Sequence, residues 1–434
     1  MRYYSTNSKK NTASLSKAVL SGLADDGGLY MPEAIPRLPA SLLNNLAALT
    51  FRELSFEIAK QLLGEDIPHP ILEEIINDAL NFEVPLVQLD HDLYVLELFH
   101  GPTLAFKDFA ARFMARLMSY LNRDSDAELT ILVATSGDTG SAVAHGFAGA
   151  PGIRVFILYP SGKISTIQEK QLTTHGGNIT ALEIDGSFDD CQRIAKQAFL
   201  DVELSRNLTL TSANSINIAR LIPQSFYYFY GYARLKNKRQ PVVISVPSGN
   251  FGNLTGGLIA KKMGLPIARF ISATNANRVV PEFLQTGRFE PKPTRQTISN
   301  AMDVGNPSNF ARILDLCNND LEKMREDVWG ASFTDDQTRD AIQELVNKFG
   351  YIPDPHGAVG YLGLKHYPEN KSDKLIGIFL ETAHPAKFPE VIRQLIDREL
   401  PLPEALEKAM SMKKHSVKLS GEFDAVKQYL LSVS

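Results

Sequence analysis

Apolar residues along this chain fall into two alternating textures. Short uninterrupted runs rich in Val and Ile are one: LTILVAT (129–135), IRVFILY (153–159), ITALEI (179–184), PVVISV (241–246), ARFISAT (268–274) and LIGIFL (375–380). Segments whose apolar side chains recur every three or four positions are the other, as in SFDDCQRIAKQAFL and DDQTRDAIQELVNKFG. The runs lack the alternation of a sheet with one wet face, so they read as parallel strands covered on both faces. The periodic segments read as helices. Strand–helix alternation of this kind predicts a doubly wound α/β architecture.

Residues 1–92 have a different texture, rich in helical pattern and punctuated by proline, and are expected to form an N-terminal helical subdomain. The remainder is expected to divide into an α/β domain over 93–240 and a second over 241–434, the latter interrupted by a helical insertion at about 306–349. No internal repeat or low-complexity segment stands out.

Composition narrows the class. The chain has 434 residues with 45 basic and 49 acidic side chains, a formal charge of −4. That balance offers no electrostatic footprint for nucleic acid. SFYYFYGY (225–232) therefore reads as a core helix and not as a base-stacking platform. No stretch has the length and apolarity of a membrane span. The opening MRYYSTNSKK lacks the apolar centre of a secretory signal, so a cytoplasmic location is expected. The two cysteines, Cys191 and Cys317, stand far apart, and His100, His145, His356 and His384 fall in no metal-binding spacing. Neither a disulfide scaffold nor a metal centre is expected.

In doubly wound sheets, ligands gather where strand C-termini meet helix N-termini, because free backbone N–H groups there favour anions. Three such junctions are rich in small polar residues. VPSGNFGN (246–253) has Gly249 and Gly252 to let a ligand approach the backbone, and Ser248, Asn250 and Asn253 to add side-chain bonds. It lacks the lysine of a nucleotide-binding P-loop, and a phosphate loop and a plain glycine-rich turn both fit it. ATSGDTGSA (134–142) places Ser136, Asp138 and Thr139 at the expected cap of the next helix. In TSANSINIAR (211–220), Asn214 and Ser215 suit capping, and Arg220 falls about two turns in, where a solvated arginine is the ordinary reading.

One lysine is out of place. Lys107 follows Leu104-Ala105-Phe106 and precedes a helical pattern carrying Phe109, Phe113, Leu117 and Leu121 at four-residue steps. Apolar neighbours and a helix N-terminus both disfavour its charge, as a Schiff-base lysine requires. A lysine that snorkels to solvent is the competing reading. A reactive amine, a phosphate-binding loop and an α/β sheet together are what pyridoxal phosphate demands.

ELFHGPTLAFKDFAARFM, ATSGDTGSAVAH, LYPSGKIS, SANSINIARL, VPSGNFGN, SNAMDVGNPSN, TAHPAKF and the N-terminal GLADDGGLYMPEAIP together resemble the threonine synthases, across essentially the whole chain and in order. The resemblance is to the branch typified by enterobacterial and fungal enzymes. It implies a fold type II pyridoxal-phosphate enzyme, similar to the tryptophan synthase β chain, with two doubly wound α/β domains and an N-terminal helical subdomain. It implies that Lys107 carries pyridoxal 5′-phosphate as a Schiff base, that Gly249, Asn250, Phe251, Gly252 and Asn253 grip its phosphate, and that Thr382 meets its pyridine nitrogen. Thr103, Ser136, Asp138 and Thr139 are implied near the substrate carboxylate, and Asn214, Ser215 and Arg220 in the substrate site. Lys163, Arg112, Asn217 and Lys387 are further candidates for the substrate phosphate. Many fold type II enzymes carry Asn where this chain has Asp138, so no contact of Asp138 with the cofactor ring is assigned. The implied reaction converts O-phospho-L-homoserine and water to L-threonine and phosphate, by a monomer or weak homodimer. A dehydratase or cystathionine-type synthase on the same fold, a non-catalytic relative, and a nucleotide-binding module are the competing functions.

Overall fold

Runs that are apolar on both faces need cover on both faces, and each of the six becomes a buried strand. The computed structural model describes residues 1–236, 239–369, 375–396 and 400–433. Its backbone groups into two compact units that share the chain in pieces. The larger holds Met31–Phe106 and Leu221–Pro401, with Met1; the smaller holds Arg2–Tyr30, Lys107–Arg220 and Leu402–Ser434.

The N-terminal segment carries three short strands, β1 (Tyr3–Ser5), β2 (Thr12–Ala13) and β3 (Tyr30–Pro32), of which β1 and β2 pair antiparallel. Two amphipathic helices follow, Phe51–Leu63 and His69–Ala79. The first starts with a capping box, in which Thr50 and Glu53 each satisfy the other's backbone N–H.

The sheet of the larger unit contains β4 (Leu86–Asp90), β5 (Leu93–Glu97), β10 (Val242–Pro247), β11 (Arg269–Thr274), β12 (Val328–Ser332) and β13 (Ile376–Glu381), in the order β12-β11-β10-β13-β5-β4. All neighbours run parallel except β4 with β5. Every residue of β10 and β13 is buried, as two-sided cover requires. Helix Pro355–His366 lies across β10, β11 and β13. Glycine makes its close approach to β13 possible: a Cβ at Gly357 would collide with Glu381 Oε2. Val359 and Leu362 of this helix share a core with Val243, Ile271, Ile342 and Phe379.

The stretch expected as a helical insertion contains a strand, β12, and Trp329 lies on it, against the ring of Tyr367 at 5.5 Å. VWGAS is short and three of its five residues are small, so neither period is legible in it; pairing with β11 supplies the strand.

The smaller unit holds β6 (Leu129–Ala134), β7 (Ile153–Pro160), β8 (Ile179–Asp185), β9 (Thr209–Thr211) and β14 (Val417–Ser420), all parallel, in the order β14-β8-β7-β6-β9. Helix Phe188–Leu200 buries Cys191, Ile194 and Ala198 against Leu132, Phe156 and Leu182. Both sheets thus present strand C-termini to helix N-termini, the placement that serves ligand binding.

Candidate cofactor and substrate site

Within the larger unit, β10 ends at Pro247 and Gly252–Lys262 begins as a helix with no side-chain cap. Phe251 joins them in the left-handed conformation, φ 64°. A left-handed residue at a helix start is a backbone setting in which successive N–H groups converge on an anion. Gly249 packs so closely that a Cβ there would meet Ala301 O at 2.7 Å and Met302 Cα at 2.8 Å. Asn250 Oδ1 accepts from the backbone N–H of Ser308 at 2.9 Å and from its hydroxyl at 3.0 Å, which fixes the loop from the other side.

Asn253 is the most informative residue of the loop. Its Oδ1 accepts hydrogen bonds from the hydroxyls of Tyr227 and Tyr228, both at 2.6 Å. The other end, Nδ2, is buried and has no hydrogen-bond partner. A buried donor without a partner costs about 1–3 kcal/mol, so it marks a place built for an acceptor.

Also in the larger unit, residues 101–106 run beside the end of β13. Phe106 N–H donates to Thr382 O at 2.9 Å and His384 N–H to Leu104 O at 3.0 Å, around a bridge between Ala105 and Ala383. Leu104 takes a left-handed φ of 57°. The peptide that leads into Lys107 is therefore held directly to Thr382. Thr103 and Thr382 are buried. Lys387 is fully buried and its ammonium donates to Thr103 O at 2.9 Å, so it is no surface lysine. Burial, with the His100 charge, pushes the His384 imidazole down to about 4, and its Nδ1 accepts from Ala386 N–H.

In the smaller unit, Lys107 opens the helix Lys107–Asn122 and is half-buried. Asp108 beside it is fully buried. Arg220 is buried too, against the surface position expected for it. Its helix begins only at Ile218, so Arg220 stands in the first turn and not two turns in. Its guanidinium donates to Ala213 O at 2.7 Å; burial lowers its pKa to about 10, with the Asp108 charge opposing that fall.

The loop after β6 departs from the expected cap. The N-cap of helix Asp138–Phe147 is Gly137 at φ 133°, with no side-chain cap, and Asp138 is the first helical residue. Thr135 organises the turn instead, its hydroxyl oxygen accepting from the N–H of Gly137 at 3.0 Å and of Gly140 at 2.8 Å. Ser136 and Thr139 lie in the same turn. The Asp138 carboxylate accepts from Gln168 Nε2 at 3.0 Å. Asn214 Nδ2 donates to Ala134 O at 3.0 Å, which brings the loop of Asn214 and Ser215 beside that of Ser136. Asn217 spends its amide on Val19 O and Ser212 O, a structural use. Lys163 is exposed and Arg112 buried.

Thr135, Gln168, Tyr227 and Tyr228 support these residues without having been singled out. Only Thr135 left a signal, as a hydroxyl two residues before a glycine turn. The others act across 25 to 30 residues of sequence.

A phosphate matches the larger unit's loop in donor chemistry: an uncapped helix start, a glycine with no room for a side chain, and the buried amide N–H₂ of Asn253. A half-buried lysine at a helix start matches the aldehyde of pyridoxal. The comparisons agree. The family described as "Pyridoxal-phosphate dependent enzyme" matches residues 81–379, "Threonine synthase N terminus" matches 2–80, and "Threonine synthase, C-terminal" matches 357–430. The chain is 46% identical to a threonine synthase of Haemophilus influenzae, over 99% of this chain and all of that one. The crystal structure of threonine synthase from Escherichia coli superposes with a TM-score of 0.93 at 43% identity, covering all of both chains. That of a pyridoxal-phosphate-bound threonine synthase from Brucella melitensis gives 0.93 at 36% identity, covering 99% of this chain and 98% of that one. Identity at this level from end to end, on a loop chemistry suited to the cofactor, makes the chain a member of the threonine synthases, a family of pyridoxal-phosphate dependent enzymes.

Proposed function

We propose that this chain converts O-phospho-L-homoserine and water into L-threonine and inorganic phosphate. The observation that carries the reading is the end-to-end likeness to threonine synthases. It includes the segments 2–80 and 380–430, which lie beyond the residues that the general pyridoxal-phosphate family matches. In the reaction the Cγ–O bond to phosphate breaks and a water oxygen joins Cβ. Hydrogens move from Cα and Cβ and are returned at Cγ and Cα.

Pyridoxal phosphate, when bound, supplies an electron sink for the carbon that loses its proton. This chain's residues do the rest. Lys107 would hold the aldehyde carbon, and its Nζ, when free, would take protons from Cα and Cβ and return them at Cγ and Cα. Asn250, Phe251, Gly252 and Asn253 hold the cofactor phosphate through N–H donors, with Gly249 giving the space. Thr382 presents a neutral hydroxyl to the ring nitrogen. Ser136 and Thr139, with Thr103, orient the substrate carboxylate, and Asp138 lies in the same turn with its own carboxylate held by Gln168 Nε2. Asn214, Ser215 and Arg220 serve the substrate, Arg220 bringing a buried cation. A cytoplasmic location and action as a monomer or weak homodimer complete the proposal.

The test is a product balance. Purified protein given pyridoxal phosphate and O-phospho-L-homoserine is expected to release phosphate and threonine in equal amounts. Phosphate with a keto acid in place of threonine would make it an eliminase on the same scaffold. Lys107→Ala is expected to lower turnover by about 10²–10⁴-fold or more while the circular dichroism spectrum stays that of the parent.

A further inference from the structure

Two stretches of the larger unit that face the proposed cofactor site are tied to one buried pair, Asp354 and His356, which the reaction scheme leaves unused. Both side chains are at most 2% exposed. Asp354 caps the helix Pro355–His366: its Oδ1 accepts from the backbone N–H of His356 at 2.6 Å and from the ring Nδ1. Its Oδ2 accepts from the N–H of Ala383 at 2.9 Å, one residue beyond Thr382. Across the ring, His356 Nε2 accepts from the N–H of Ala301 at 3.1 Å.

A ring nitrogen that accepts carries no proton. The imidazole proton therefore sits on Nδ1 and is donated to Asp354. The pair forms a bridge of fixed polarity from the backbone after β13 to the turn at Ala301. That turn is the surface on which Gly249 rests, since Ala301 O and Met302 Cα are the atoms a Cβ at Gly249 would strike. Plain helix capping needs only Asp354 and the backbone N–H of His356. It has no use for the second ring nitrogen.

We propose that His356 is a positioning residue for the cofactor phosphate: through Ala301 it sets the floor of the Gly249 loop, and through Asp354 it ties that floor to Ala383, the neighbour of Thr382. The inference rests on the reading of 249–253 as the phosphate loop. Small displacements of such a loop matter because its donors must reach the phosphate oxygens at hydrogen-bond distance.

The test compares pyridoxal phosphate with pyridoxal, which lacks the phosphate, by equilibrium titration of the full chain. His356→Asn keeps an N–H for Asp354 but does not reach Ala301. His356→Gln carries an acceptor to about the depth of Nε2. His356→Asn is expected to raise the Kd of pyridoxal phosphate roughly tenfold and that of pyridoxal less than about twofold. His356→Gln is expected to recover most of the loss. An Asn variant that binds like the parent, one that loses both ligands equally, or a Gln variant no better than Asn overturns the inference. Should His356→Asn not fold, Gly249→Ala lifts the loop off the same turn with the pair intact, and it has to show the same phosphate-selective loss. A parent that binds pyridoxal as tightly as pyridoxal phosphate overturns the phosphate-loop reading and the inference together. A discriminating parent with an undisturbed variant overturns the inference alone.

Discussion

Asn253 and Glu381 show opposite uses of a buried polar group. Asn253 has its oxygen end saturated by two phenols and its nitrogen end left over for a ligand. Asn253→Asp keeps the size and both tyrosine bonds but replaces the donor with an anionic oxygen. It is expected to weaken pyridoxal phosphate more than about tenfold, or 1.4 kcal/mol, in the same titration. Glu381 is fully buried, and desolvation first, then the nearby Asp354 charge, holds its carboxyl well above the ordinary carboxylate range. A raised folded-state pKa means stability is whole below pH 4.5, the carboxyl's ordinary value, and is lost as pH rises through the folded value. Glu381→Gln removes the titration. Urea unfolding from pH 5 to 9 is expected to show the parent losing stability with rising pH and the variant staying flatter. Asn253 was legible in the sequence as part of VPSGNFGN. Its tyrosines were not, because SFYYFYGY reads equally well as plain core, which it also is. The burial of Arg220 was not legible, because a run of Ser and Asn gives no unique helix start.

Elements were legible where their texture was unambiguous. The six Val/Ile runs are strands because nothing else buries both faces of so short an apolar segment. Strands with mixed or small residues, such as VWGAS and VKLS, take their conformation from a partner already in place. The edge strand β14 is fastened to β8 by charge. Lys414 pairs with Glu183 at 2.7 Å and Glu169 at 2.6 Å, and Ser161 donates to Glu183 at 2.7 Å. Burial alone would raise the Glu183 carboxyl, but bonds from Lys414, Ser161 and Ser416 bring it down to about 2. Its stabilising contribution is thus present above pH 4.5 and lost as pH falls through about 2. Lys414→Met leaves Glu183 buried beside fewer donors and is expected to cost about 1–3 kcal/mol in chemical denaturation at neutral pH. The cost should shrink in acid as Glu183 gains a proton.

At the scale of the whole chain, both units are assembled from separated pieces, and the C-terminal Leu402–Ser434 belongs with Lys107–Arg220. Local patterns reveal strands and helices but carry little information on which distant pieces share a sheet; only pairing does. What the sequence did carry was the order of the strand–helix junctions and a lysine, Lys107, set after an apolar run at a helix start. Lys107 begins its piece of the smaller unit, immediately after the peptide held to Thr382 in the larger. The account stands or falls on that residue carrying the cofactor. The measurement is borohydride reduction of the pyridoxal-phosphate-loaded protein followed by peptide mass spectrometry. The account predicts one pyridoxyl label per chain, on Lys107 within the peptide that includes DFAAR. A label on another lysine, or a spread of partial labels with Lys107 unmodified, would contradict it.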